Sequence, residues 1–138
     1  MCSMTLILDP QEYIICRLSP DTQAANIWLP LEGFWSLTRT EEETSLVMQA
    51  GNLLPNDAVV ESGWRLLHVA GTLDFALVGV LARLTAVLAE AGVSVFALST
   101  YDTDYLLFKE HQRAQALQAL QNAGYSLQNA AAAALNPL

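Results

Sequence analysis

Basic residues are scarce in this chain: six Lys and Arg stand against 14 Asp and Glu, for a formal net charge of −8. The six are scattered singly, so no cluster exists to neutralise phosphates, and a nucleic-acid partner is not expected. Cysteine is scarcer still. Cys2 and Cys16 form neither a metal-ligand spacing nor a disulfide framework. His68 and His111 lack the partner spacing of a zinc site, so no metal or cofactor is expected. No apolar run approaches the roughly 18 residues that span a bilayer, so no membrane partner is expected. Met1-Cys2-Ser3-Met4-Thr5 has no basic region before an apolar stretch, which argues against a secretory signal and for a cytoplasmic location. A nucleophile motif, a phosphate loop and HExxH are all missing, so the chain is not expected to be an enzyme.

What is abundant is apolar surface. Apolar residues make up 53% of the 138 and charged residues 14%. Much of the exterior must therefore be apolar, which points to a subunit interface and to a homodimer as the simplest symmetric solution. The length suffices for one well-buried core or two small packed modules.

The second half divides cleanly into elements. Trp64-Arg65-Leu66-Leu67-His68-Val69 reads as a strand ended by Ala70-Gly71-Thr72. Leu77, Val80, Leu81, Leu84, Val87, Leu88 and Ala91 then recur at helical spacing, with Asp74 at a possible N-cap and Gly92 at a C′ position. Two apolar runs, about 93–99 and 103–109, flank a polar turn and predict a hairpin. A helix follows over about 112–123, closed by Gly124, and Tyr125-Ser126-Leu127-Gln128 predicts a last edge strand. The order β-α-β-β-α-β defines a ferredoxin-like α/β sandwich, an α+β fold.

The first half reads as a worn copy. Glu12 to Leu18 matches the Trp64 strand in character. Phe34-Trp35-Ser36-Leu37-Thr38, the acidic turn Glu41-Glu42-Glu43, and Ser45-Leu46-Val47-Met48 match the later hairpin. Leu37-Thr38 falls against Leu98-Ser99 and Leu46-Val47-Met48 against Leu106-Leu107-Phe108, an offset of about sixty with one residue gained in the first turn. Pro20 and Pro30 leave little room for a crossover helix between the first two strands, and Gly51 and Pro55 interrupt the segment after Met48. The expectation is two tandem ferredoxin-like modules, 1–62 with shortened helices and 63–128 complete, joined near Glu61-Ser62-Gly63. Residues 129–138 would form an Ala-rich tail.

The turn of the second hairpin is the richest polar cluster. Ser99, Thr100, Tyr101, Asp102, Thr103 and Asp104 bring hydroxyls and carboxylates to one sheet end, where Asn-Gly would suffice for a plain turn. From the residues alone, Asp104 is either a solvated strand-end carboxylate or an acceptor for a ligand ammonium. Asp102 points the other way along the alternation and is expected in solvent. Trp28, Trp35 and Trp64 are read as core or interface residues.

Several segments carry a resemblance: Phe34–Thr38, the acidic turn, Val93-Ser94-Val95, Leu98–Tyr101, Thr103-Asp104 and Lys109-Glu110. The chain resembles the ACT domain, a module that usually binds amino acids, and most nearly the N-terminal half of the CASTOR-type cytosolic arginine sensors. The resemblance implies two ACT units and a non-catalytic amino-acid sensor, with ligand held between paired units. It implies that Asp104, Thr100, Tyr101 and the Leu73-Asp74-Phe75 loop contact ligand on one unit, while Ser94 and Val95 close the pocket from another. Helix-start N–H groups near that loop would receive a ligand carboxylate. Asp74 stands where the family's ligand-binding units often have glycine, and Leu77 where the arginine sensor has an acidic residue; both argue against arginine. The alternative is an assembly module that binds a protein partner and no small molecule.

Overall fold

The computed structural model describes residues 4–23, 31–70 and 78–130. Trp28, the loop residues Leu73, Asp74 and Phe75, and most of the Ala-rich tail lie outside the described residues. The elements are β1 (Thr5–Leu18), β2 (Ser36–Arg39), β3 (Thr44–Gln49), β4 (Val59–Val69), α1 (Val80–Glu90), β5 (Phe96–Ser99), β6 (Asp104–Lys109), α2 (Arg113–Asn122) and β7 (Ser126–Asn129). The fold is mixed α+β of ferredoxin-like type. The chain divides into two compact units, one of residues 1–10 and 65–138, the other of residues 11–64. The two long strands β1 and β4 each contribute residues to both.

In the larger unit (unit 1) the strand order is β7-β1-β4-β6-β5. The hairpin β5–β6 pairs antiparallel, Phe96 opposite Leu107 and Ser99 opposite Asp104. Period-2 alternation along β6 sends Leu106 and Phe108 to one face, where they join Leu67, Val69, Leu84, Leu88 and Leu120 in the core. The helix α1 buries Val80, Leu84 and Leu88 at i, i+4 and i+8, which is why its apolar stripe faces inward. Gly92 ends it at φ 78, and the Val93 N–H reaches back to the Leu88 carbonyl at 2.9 Å. Only glycine takes that left-handed position at no steric cost. Gly124 closes α2 in the same way, with the Tyr125 N–H on the Leu120 carbonyl at 3.1 Å. The amides of Gln112 and Gln115 donate to the carbonyls of Gly92 (3.1 Å) and Ala91 (2.8 Å), so polar side chains just before and within α2 satisfy backbone acceptors that the end of α1 leaves open.

Two expectations change in this unit. Asp74 is not the N-cap of α1: that place belongs to Gly79, in the left-handed region at φ 84, and the regular helix starts only at Val80. The apolar periodicity reaches back to Leu77, but a left-handed residue cannot sit inside a right-handed helix. The second change is an added strand. Thr5–Leu8 pairs parallel with Ser126–Asn129 and lies beside β4, placing Leu6 and Leu8 in the core. Asp9-Pro10-Gln11-Glu12 masks this strand in the sequence by breaking the alternation. The ladders of β1 with β7 (Thr5–Leu8) and β3 (Tyr13–Leu18) leave residues 9–12 between them, and Pro10 falls in that interval.

In unit 2 the order is β2-β3-β1-β4. Its core is Ile14, Cys16, Leu18, Leu46 and Met48, and among the described residues Leu31, Trp35, Leu54 and Ala58, all in irregular chain, pack on it. Arg39 pairs with Thr44 and Ser36 with Val47. The turn is the same length as that of β5–β6, for Thr40 N–H donates to the Glu43 carbonyl and Thr100 N–H to the Thr103 carbonyl, both at 2.9 Å. The offset is therefore sixty on both arms, Leu37 matching Ala97, and no residue is gained in the first turn. The expected joint at 61–63 is not a linker either. It lies inside β4, where Gly63 takes φ 82.

Candidate functional site

The polar turn between β5 and β6 is tied together by its own side chains. Ser99 Oγ donates to Asp104 Oδ1 at 2.6 Å, across the last pair of the ladder. Asp104 is half-buried and shares the parity of Leu106 and Phe108, so its carboxylate stands at the rim of the face that carries the helices. Thr100 Oγ1 accepts from the Thr103 N–H and donates to the Thr103 carbonyl, each at 3.3 Å. Its hydroxyl therefore holds the turn. Tyr101 is 81% exposed at the tip. Asp102 is exposed, as expected.

Thr103 is a residue that the sequence reading did not select. It is buried, and its Oγ1 donates to the Val69 carbonyl at 3.1 Å, fixing the turn to the last residue of β4. In the sequence, the segment Leu73-Asp74-Phe75 follows that strand end. The signal was available in the sequence: Thr103 is a β-branched hydroxyl residue just before the first residue of β6, where a side chain can reach a neighbouring strand's terminal carbonyl.

Ser94 and Val95 sit elsewhere in unit 1. They line an open groove of about 730 Å³ with Ala82, Thr85, Ala86, Ala89, Gly92 and Val93. None of residues 99–104 lines it, so the expected site residues fall into two groups on this chain.

The opposite face of the same strands carries a second polar pair. The rings of His68 and Tyr105 stack at 5.3 Å with 33° between planes. Burial pushes the His68 imidazole below its ordinary range, and the charge of Asp9 partly opposes this. Burial, and then the charge of Asp102, pushes the Tyr105 phenol up. On the rim, Arg65 donates to Glu110 Oε1 at 2.9 Å and to the Asp9 carbonyl at 3.0 Å, and Arg113 Nε reaches Glu110 Oε2 at 3.2 Å. These bonds and charges, Arg65 foremost, hold the Glu110 carboxyl below the usual range. Among the described residues no cluster of His, Cys, Asp and Glu could hold a metal ion, and no helix is long and apolar enough to cross a membrane.

A βαββαβ order, a hairpin end rich in hydroxyls and carboxylates, and helices on one face of the sheet define an α+β domain of ferredoxin-like type. Residues 59–122 match the model of the ACT domain. A crystallographically solved protein of Agobacterium tumefaciens is 30% identical, with 95% of this chain and 96% of that one covered and a TM-score of 0.84. The chain thus carries an ACT domain over residues 59–122. It is also similar to a Vibrio cholerae protein described as of unknown function and a possible transport protein, with 26% identity, 86% and 88% of the two chains covered, and a TM-score of 0.64. The ligand-free regulatory subunit of aspartate kinase from Thermus thermophilus shares the fold at 13% identity, with 86% of this chain and 96% of that one covered and a TM-score of 0.62. No curated protein matches the chain.

Proposed function

We propose that this protein is a non-catalytic regulatory module of tandem ACT type that binds an amino acid between paired copies. The observation that carries the reading is the Ser99–Asp104 bond at the hairpin end of the matched domain. A carboxylate held in place by a hydroxyl, with a second oxygen left to accept, suits a ligand ammonium. One copy would supply Asp104, Thr100, Tyr101 and the Leu73-Asp74-Phe75 loop, and a second copy would bring Ser94 and Val95. The open groove that contains Ser94 and Val95, away from the hairpin end of its own chain, supports that division of roles. The ligand carboxylate would be received near the start of α1, where Gly79 caps the helix without a side-chain bond and the first N–H groups lack intrahelical acceptors.

Two tandem units are supported by the two compact units and by hairpins of identical turn length sixty residues apart. The finer likeness to CASTOR-type sensors rests on the sequence segments alone. A composite site ties binding to assembly, because ligand stabilises the arrangement that forms it. A homodimer in the cytoplasm, without cofactor, is the state in which such a module would act.

The test is a thermal-shift screen of the full chain against the standard amino acids. A ligand at 100 times its Kd should add about 2.7 kcal/mol. Asp104→Ala should abolish that shift and leave the unliganded melt nearly unchanged. A shift that survives the substitution places the ligand elsewhere. The absence of any shift favours the assembly-module reading.

A further inference from the structure

The outer side of α1 lacks the polar cover that a solvent-facing helix carries. Val80, Leu84 and Leu88 take the buried side. The opposite side presents Ala82, Ala86 and Ala89, all exposed, at i, i+4 and i+7. These alanines line the open groove of about 730 Å³ that also contains Ser94 and Val95. Arg83 and Glu90 are the charged residues of the helix. Both are exposed, and neither takes part in an ion pair among the described residues. They stand about two turns apart on the same flank of the alanines.

Opposite signs at that spacing make the flank complementary to itself. Set against a second α1 running antiparallel, with the two-fold between Ala86 and Val87, Arg83 meets Glu90 of the partner subunit and Glu90 meets the partner's Arg83. A parallel second helix would set like charges side by side, which repel. The alanines leave no bulk at the crossing, so the helix axes can approach to about 8 Å, the short end of the usual range. Val78 is 88% exposed just ahead of the helix. Residues 78 and 95 are equally far from the two-fold along the chain, so Val78 is carried to the level of the partner's Val95.

We infer that the alanine side of α1 is the contact face of a homodimer, and that its occupant is α1 of a second copy in antiparallel alignment. The Arg83–Glu90 pairs set the direction and the alanines set the distance. The contact needs no ligand. Its consequence for the proposed amino-acid site rests on that reading: antiparallel alignment brings the start of α1 in one copy beside Ser94 and Val95 of the partner subunit, the residues assigned there to a second copy.

Sedimentation equilibrium of the full chain at micromolar concentration, without amino acid, should give twice the 15.0 kDa chain mass. Arg83→Glu and Glu90→Arg each spoil both symmetric pairs, so each should weaken dimerisation about tenfold or more, and the double variant should regain it. Both positions are exposed, and circular dichroism verifies that the variants fold. Disulfide trapping in a Cys2→Ser background reads the direction. Ala86→Cys, beside the two-fold, should cross-link to its own copy. Ala82→Cys should not, because its two copies lie about 14 Å apart along the axis. The inference is overturned by a monomer, by single variants that dimerise like the parent, by a double variant that stays dissociated, or by Ala82→Cys cross-linking as readily as Ala86→Cys. An Asp104-dependent ligand shift from a dimer that ignores both charge reversals would reject this contact and keep the binding reading. Dimerisation lost in each single variant and regained in the double one, with no ligand shift in the parent, would do the reverse.

Discussion

Replacing Thr103 with valine removes one oxygen and almost no shape. The side chain is 8% exposed, so the isosteric variant keeps its packing. What disappears is the Oγ1 bond to the Val69 carbonyl at 3.1 Å, the side-chain tie between the turn and the end of β4. The bond from the Thr100 N–H to the Thr103 carbonyl remains. A buried neutral hydrogen bond contributes about 0.5–1.5 kcal/mol net, and leaving its acceptor unsatisfied costs about 1–3 kcal/mol. Valine recovers part of this by burying a methyl in place of the hydroxyl, so a loss of about 1–2 kcal/mol is expected. For a chain of this size that is a fall in Tm of roughly 3–6 °C. Calorimetry reads the Tm, and native-state hydrogen exchange should show faster exchange at the Thr100 N–H, which the freed turn exposes. Thr100→Val is the control: its hydroxyl bonds lie at an exposed turn, and the cost should stay near or below about 0.5 kcal/mol. A Thr103→Val protein that melts at or above the parent would refute the claim that this hydroxyl anchors the turn.

Three further outcomes follow from packing and charge. The Cys16 thiol is buried and pushed up to about 11 from its ordinary 9.0, so maleimide should label it only in denaturant. The unfolded chain releases that proton first as pH rises, so stability should fall between about pH 9 and 11 by up to about 1.4 kcal/mol per unit, and Cys16→Ala should flatten the slope. His68 is held below its ordinary pKa by burial. The unfolded state binds more protons below about pH 6.5, so stability should fall on acidification through that range, and less so in His68→Gln. A chain of residues 65–138 alone lacks Leu6 and Leu8, which belong to the unit 1 core, and leaves β7 without its parallel neighbour. Loss of each buried leucine costs about 2–5 kcal/mol, so this fragment should show no cooperative calorimetric transition, and a sharp melt equal to that of the full chain would contradict it.

The local patterns of the chain were legible before any coordinates. The stripe of α1 puts its own buried residues a turn apart, and the two helix-ending glycines act through bonds within six residues. The hairpin β5–β6 follows from two β-prone runs and a polar turn, and the candidate carboxylate Asp104 was visible for the same reason. Trp35 as a packed residue and the interruption after Met48 were also readable, the latter because Gly51 and Pro55 act on their own neighbourhood.

Tertiary structure alone decided the rest. Nothing in Leu6-Ile7-Leu8 announces that it will pair in parallel with residues 126–129, since that ladder joins positions more than a hundred residues apart. The helix start moved from Asp74 to Gly79 because backbone conformation, not apolar spacing, sets where the α1 ladder begins. Two glutamines near the start of α2 close the end of α1, and although the Thr103 hydroxyl stood out by its place in the sequence, its partner, a carbonyl 34 residues earlier, did not. Periodicity and caps are written along the chain because each depends on a few consecutive residues. Partners across a sheet depend on which strands the core brings side by side, and only burial of both apolar faces fixes that.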